Sequence, residues 1–258
     1  MKAISLLTAG ALALSSVAVA ANTAAPAQFD GAQKNQIEQI VRSYLVSNPE
    51  VLLEASQALQ AKQQETMQKQ AKSAISEHAN ELLQGGITVA GNPKGSVTLI
   101  EFFDYQCGHC KKMEPVIDAL IAKNKDLRVV YKEFPIFGKT SEVASQAAIA
   151  AAMQGKYIPM QAALLKQTKA LDEATVMEAA KSVGLDIAQL KKDMGSKSVE
   201  EMLAKNRQLA EKMHLMGTPA FVVAATPMGA FKSGQEPDFI PGGTTEVALQ
   251  ALIKKASS

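Results

Sequence analysis

The run Val97-Thr98-Leu99-Ile100-Glu101-Phe102-Phe103-Asp104-Tyr105-Gln106-Cys107-Gly108-His109-Cys110 decides the architecture. Its first seven residues are mostly β-branched, aliphatic or aromatic, as suits a strand buried on both faces. The chain's two cysteines then stand three positions apart, where strand gives way to helix. A pair so close makes a poor staple. Closing a four-residue ring stabilises a fold by about 2 kcal/mol, against about 4.7 kcal/mol for a hundred-residue loop. As a metal site the pair supplies two thiolates where a closed structural zinc site needs four ligands, and His78 and His214 are far off in sequence. Neither a metal nor another cofactor is expected. The remaining chemistry is thiol–disulfide exchange, for which C-x-x-C after a strand in a βαβ unit is a strong signal.

Working outward, a helix is expected from the cysteines to about Asn124 and a second buried strand from Leu127 to Phe134. Strand–helix–strand implies a parallel pair with a right-handed crossover. Thr140 to His214 is rich in Ala, Leu, Met and Lys with breaks at Gly155, Gly184 and Gly195, and reads as several helices. Ile87–Ala90 and Ala220–Ala225 read as strands, Gly229–Lys232 as a hairpin partner of the latter, and Thr245–Lys255 as a final amphipathic helix.

A thiolate at a helix N-terminus faces unpaired backbone N–H groups and the positive end of the dipole. Cys107, first in the motif, is therefore expected to be the exposed nucleophile. Cys110, one turn into the helix, is expected to be the shielded resolving thiol. His109 can add a donor or a positive charge. Glu101 is a carboxylate within an apolar strand, costly to bury unless it has a task or a partner. Strand alternation could turn it to solvent. Alternatively it is a proton shuttle beneath Cys110, with Lys132 on the neighbouring strand as candidate partner and Asp104 as the weaker rival for the task. In Met216-Gly217-Thr218-Pro219-Ala220-Phe221, a proline opens an apolar strand after a glycine-containing turn, a place compatible with a cis bond. Met113, Met160, Met202 and Met216 divide between core and a substrate groove, with Met216 best placed for the groove. Tyr105 and Gln106 are expected to border that groove, and His78 to be an exposed stalk residue.

Met1-Lys2, the apolar run Ala3–Val19 and the small-x-small Ala18-Val19-Ala20 have the pattern of a signal peptide cleaved near Ala20, with no cysteine there to carry lipid. Asn22–Gln28 reads as a disordered leader. Ile37, Ile40, Val41, Tyr44 and Leu45 form a helical apolar stripe. Asn48, Pro49 and Glu50 then stop one helix and start another. An unbroken helix to Leu83 is expected, about 35 residues or roughly 50 Å at 1.5 Å per residue. Its Gln- and Lys-rich middle suits a stalk. Residues 28–60 are too few to fold alone and their stripe needs a partner, so self-association is expected.

Composition narrows the field. Of 258 residues, 47% are hydrophobic; 27 Lys and Arg against 25 Asp and Glu leave a net charge of +2, which offers no footprint for nucleic acid. No tryptophan and 5% aromatics argue against a base-stacking platform.

Glu101–Cys110 together with Gly217-Thr218-Pro219 and Val130–Pro135 resembles the DsbA family of bacterial disulfide oxidoreductases. The resemblance covers about residues 88–255. It implies an α/β thioredoxin fold with a helical insertion, here preceded by an all-α oligomerisation segment. It also implies a cis Thr218–Pro219 bond facing Cys107, and a Thr218 backbone offered to an extended substrate. Gly108 and Gly217 join Thr218 and Pro219 as substrate-binding positions, and Cys107–Cys110 is the redox disulfide. Gly108-His109 within the motif, Thr218 before the proline and the stalk resemble the oligomeric branch, similar to suppressor-of-copper-sensitivity C proteins and to disulfide isomerases. The expected organisation is a signal peptide (1–20), an oligomerisation module (21–60), a stalk (61–86) and a catalytic domain (87–258) with its insertion at about 140–214. The expected activity is periplasmic formation and isomerisation of disulfides. Its partners would be unfolded or misfolded exported proteins with cysteines, a membrane redox partner and a second copy of the chain, a dimer ahead of a trimer. A copper- or zinc-handling thiol protein and a holdase are the alternatives.

Overall fold

A computed structural model describes residues 29–84 and 86–258; the expected signal segment and leader lie outside them. The chain divides into two compact units, one ending at Ala58 and the other spanning Leu59–Ser258.

In the first unit, α1 (Gly31–Ser47) opens on a capping box in which Asp30 and Gln33 bond each other's backbone N–H. It buries none of its residues, and Ile37, Ile40, Val41 and Tyr44 are exposed. α2 (Glu50–Glu77) follows. The expected unbroken run to Leu83 is not formed: the helix stops at Glu77, His78 leaves helical geometry, and α3 (Ala79–Leu83) restarts it. Ile75 before the bend and Leu82 and Leu83 after it enter one apolar layer, and His78 is half-buried rather than exposed, its Nδ1 3.2 Å from Glu81 Oε1.

The second unit holds a five-stranded sheet, β1 (Val89–Gly91), β2 (Val97–Phe103), β3 (Leu127–Glu133), β4 (Ala220–Ala225) and β5 (Asp238–Pro241), in the order β1-β3-β2-β4-β5. β2 and β3 are parallel, joined by α4 (Gly108–Lys123); all other pairs are antiparallel. All seven residues of β2 are buried, as the apolar run requires. One face carries Leu99, Phe103, Val129 and Tyr131 against α4, the final helix and the insertion. The insertion is α5 (Lys139–Met153), α6 (Tyr157–Leu165), α7 (Glu173–Ser182), α8 (Ile187–Met194) and α9 (Lys197–Lys212); α10 (Glu246–Ser257) closes the chain. The other face carries Ile100, Phe102, Val130 and Val222 against the end of α2, α3 and Leu209, Ala210 and Met213.

Two strand expectations are corrected. The first strand is Val89–Gly91, not Ile87–Ala90. The partner of β4 is not Gly229–Lys232. Pro227–Gly229 is a 3-10 turn in which Met228 and Gly229 both take positive φ, and the chain runs on to Asp238 before it pairs.

Candidate functional site

Cys107 is the N-cap of α4, a short turn after β2, so its sulfur stands at the positive end of a 16-residue helix. The turn that delivers it is tied at both ends. Cys107 N–H donates to Asp104 O at 3.1 Å and Gln106 N–H to Asp104 Oδ1 at 2.7 Å. Asp104 is fully buried and also accepts from Ile136 N–H, Phe137 N–H and Ser141 Oγ. These bonds make it the brace of the turn.

The bond between Thr218 and Pro219 is cis, as the resemblance implied. The Thr218 carbonyl lies 3.2 Å from Cys107 Sγ, which donates to it as a thiol. Cys107 is thereby only 4% exposed, and Cys110 1%. The nucleophile expected in the open is roofed by the loop before β4. A hydrogen bond from the Cys110 thiol is the largest influence on Cys107. The Thr218 side chain and the backbone N–H groups of Cys110 and His109 add to it, and against the opposition of burial they bring the Cys107 thiol down to about 5. The same Cys110–Cys107 bond, then burial, then the Glu101 charge push Cys110 far above the ordinary thiol range. Two identical side chains one helical turn apart are thus driven in opposite directions.

Glu101 is buried, not turned to solvent. Burial first, then the charges of Cys107 and Glu133, hold its carboxyl well above the usual range. The expected partner is elsewhere. The register sets Lys132 opposite Phe102, on the other face of the sheet, where its Nζ donates to the carbonyls of Glu81 and Gln84. His109 is exposed, with Nδ1 3.4 Å from where a Cβ on Gly243 would lie. At Gly108 and Gly217 a side chain would meet open space, so close packing does not demand glycine at either position. Gln106 is half-buried and bonds Thr140 Oγ1 at 2.9 Å. Tyr105 does not border a groove: it is fully buried and donates to Glu133. Met113 and Met160 are core, whereas Met216 is 90% exposed. Met216 lines, with Met67, Ala71, Leu215, Thr218 and Phe239, a mainly apolar cavity of about 260 Å³. Glu133 was missed in the sequence. Its only signal there is a second carboxylate inside a buried strand.

Residues 98–250, more than half of the chain, match the DSBA-like thioredoxin domain. The chain belongs to that family. Residues 33–65 match the N-terminal domain of the copper resistance protein ScsC. BcfH of Salmonella enterica Typhimurium superposes with a TM-score of 0.73 at 33% identity, over 88% of this chain and 97% of that one. ScsC of Proteus mirabilis in a transitional conformation gives a TM-score of 0.61 at 27% identity, over 88% and 96%. The thiol:disulfide interchange protein DsbA of Bordetella parapertussis is 33% identical over 142 residues, 50% of this chain and 64% of that one. The chain spans only 26% of the length of the Salinispora tropica Na(+)/H(+) antiporter NhaA 3, to which it is 27% identical over 173 residues. In this chain the C-x-x-C turn and the loop before β4 meet at one end of the sheet, with the insertion packed beside them.

Proposed function

We propose that this protein is an exported thiol–disulfide oxidoreductase that forms and isomerises disulfides in other exported proteins. The observation that carries the reading is the asymmetric pair. The Cys107 thiol is brought down to about 5 at the start of the helix, and Cys110 is held protonated one turn behind it. In reduction, the Cys107 thiolate attacks a client disulfide, forming a mixed disulfide and releasing one client thiolate. Cys110 then attacks Cys107 Sγ, releasing the second client thiolate and leaving Cys107–Cys110 oxidised. Donation is the same sequence in reverse. In isomerisation the freed client thiolate attacks another client disulfide before Cys110 acts. Insulin reduction and scrambled-ribonuclease refolding, run side by side, test the activity. Trapping the cysteines in cells assigns its direction: a reduced pair means isomerase, kept so by a membrane reductant, and an oxidised pair means donor.

Cys110 must lose its proton to attack, and Glu101 is the buried acid whose charge acts on it. Glu101→Gln is expected to leave the first attack unchanged and to slow mixed-disulfide resolution about 100-fold, the lower end of general acid–base contributions. Quenched-flow separation of the two steps reads this directly; equal rates for both proteins would remove Glu101 from the proton path.

Self-association is proposed through the exposed face of α1, where Ile37, Ile40, Val41 and Tyr44 leave apolar surface uncovered. Removing everything up to residue 84 would also strip Ile75, Leu82 and Leu83 from the core of the second unit, so charge substitution is the cleaner probe. Ile40→Glu with Val41→Glu in the full chain is expected to reduce the particle from a dimer to a single subunit by light scattering. An unchanged mass would sink the proposal. The ScsC match and the two thiols also keep copper handling in view as a second reading. Stoichiometric, tight Cu(I) binding by reduced protein that fails to refold scrambled ribonuclease would favour it.

A further inference from the structure

Glu133 ends β3, fully buried, directly across from Phe103 at the end of β2. Its Oε1 accepts from Tyr105 OH at 2.7 Å and Tyr157 OH at 2.8 Å, its Oε2 from Ser145 Oγ at 2.8 Å. All three donors are buried. They come from three places: the turn before Cys107, the first residue of α6, and α5. Asn206 of α9 closes the set by donating to the Glu133 carbonyl at 3.1 Å. One carboxyl therefore joins the sheet, the turn that delivers Cys107 and the helical insertion.

We infer that Glu133 is a positioning residue for thiol–disulfide exchange, fixing through Tyr105 the seat of Cys107 and anchoring that seat to the helical insertion. The inference rests on the reading of Cys107 as the nucleophile. Tyr105 stands two residues before Cys107, between the Asp104 brace and Gln106. Its ring packs edge-on against Phe103, centroids 5.0 Å apart, which constrains its plane. The hydroxyl bond to Glu133 fixes how deep it sits. An apolar group of the same volume at Glu133 would fill the space without the cost of burying a carboxyl, but would leave Tyr105 and Tyr157 without acceptors. The Cys107 thiolate is held by directional bonds from Cys110 and from backbone N–H groups, which weaken steeply when misaligned. A small displacement of the turn is therefore felt at the sulfur.

Burial, opposed by the three hydroxyl bonds, brings the Glu133 carboxyl to about 8, so near neutral pH it is mostly the protonated acid. Its hydroxyl can then donate to Ser145 while its carbonyl accepts from both tyrosines. Glutamine reproduces that pattern and alanine does not. The test compares Tyr105→Phe, Glu133→Ala and Glu133→Gln in the reduced full chain. The readouts are the pH dependence of Cys107 alkylation and the redox equilibrium with glutathione. Tyr105→Phe and Glu133→Ala are expected to raise the alkylation midpoint by about half to one pH unit, three- to tenfold less thiolate on the rising limb. Their disulfide should become correspondingly less oxidising, while Glu133→Gln matches the wild type. Should Glu133→Ala fail to fold, Tyr105→Phe decides alone, because it removes only the hydroxyl. A folded Tyr105→Phe protein with the wild-type midpoint and equilibrium overturns the inference. A wild-type midpoint near 8.5 would instead overturn the exchange reading itself.

Discussion

Cys107→Ser is expected to abolish insulin reduction and ribonuclease refolding altogether, while Cys110→Ser keeps the first attack and stalls as a mixed disulfide with its client. The asymmetry follows from the two environments. At pH 7 a thiol brought to about 5 is almost entirely thiolate, whereas one at 8.5 is ionised to about 3%, a gain of roughly thirtyfold in reactive species. Intrinsic nucleophilicity falls with basicity, by about 0.4–0.5 log units per pKa unit, so a drop of about 3.5 units costs roughly as much. The two effects cancel in the attack. What survives is the leaving-group advantage: Cys107 departs from a mixed disulfide more readily than an ordinary cysteine. The low thiol range thus favours handing a disulfide on. Iodoacetamide kinetics on reduced protein should show a midpoint near pH 5 and a plateau above about pH 6.5, and the Cys107→Ser protein should lack this phase. A midpoint near 8.5 contradicts the whole assignment.

The parts of this site that were legible in the sequence are those carried by one segment. Val97–Phe103 announces a doubly buried strand, C-x-x-C marks the helix start behind it, and Pro219 opens the apolar run of β4. What escaped depends on pairings between distant segments. The Glu101–Lys132 pair was reasonable for neighbouring strands, but one residue of register sends Lys132 to the opposite face, where the carbonyls at the end of α3 take its charge. Glu133 is on the cysteine side for the same reason, and its significance appears only when Tyr105, Ser145 and Tyr157 arrive from three other elements. The roof over Cys107 also comes from a loop more than a hundred residues away. The bend at His78 is legible only with the apolar layer it serves in view. Periodicity sees a side chain's face, not the partner waiting on it.

The pair should also make stability depend on redox state in a pH-dependent way. In the reduced protein the Cys107 thiol titrates near 5 when folded and near 8.5 when unfolded. Between those values the unfolded chain holds one proton more, so reduced protein gains stability as pH rises through the window and loses that gain as pH falls towards 5. The oxidised protein has no thiol to titrate, and the buried carboxyls Glu101 and Glu133 act in both forms, so they largely drop out of the comparison. The ratio of the reduced to the oxidised folding constant is therefore expected to rise from pH 5 to pH 8. Its ceiling is about tenfold per pH unit, approached midway between the two values and falling off towards each of them. Above about 8.5 the trend should reverse. Cys110 keeps its proton in the fold, because the bond to Cys107 and burial hold it up, while the unfolded chain gives its proton away. Guanidinium denaturation at pH 5, 6, 7, 8 and 9.5, with and without dithiothreitol, measures the curve. A ratio that stays flat from pH 5 to 8 would mean that the folded structure does not favour the Cys107 anion. By the same thermodynamic cycle, the folded disulfide would then be no more oxidising than one in the unfolded chain.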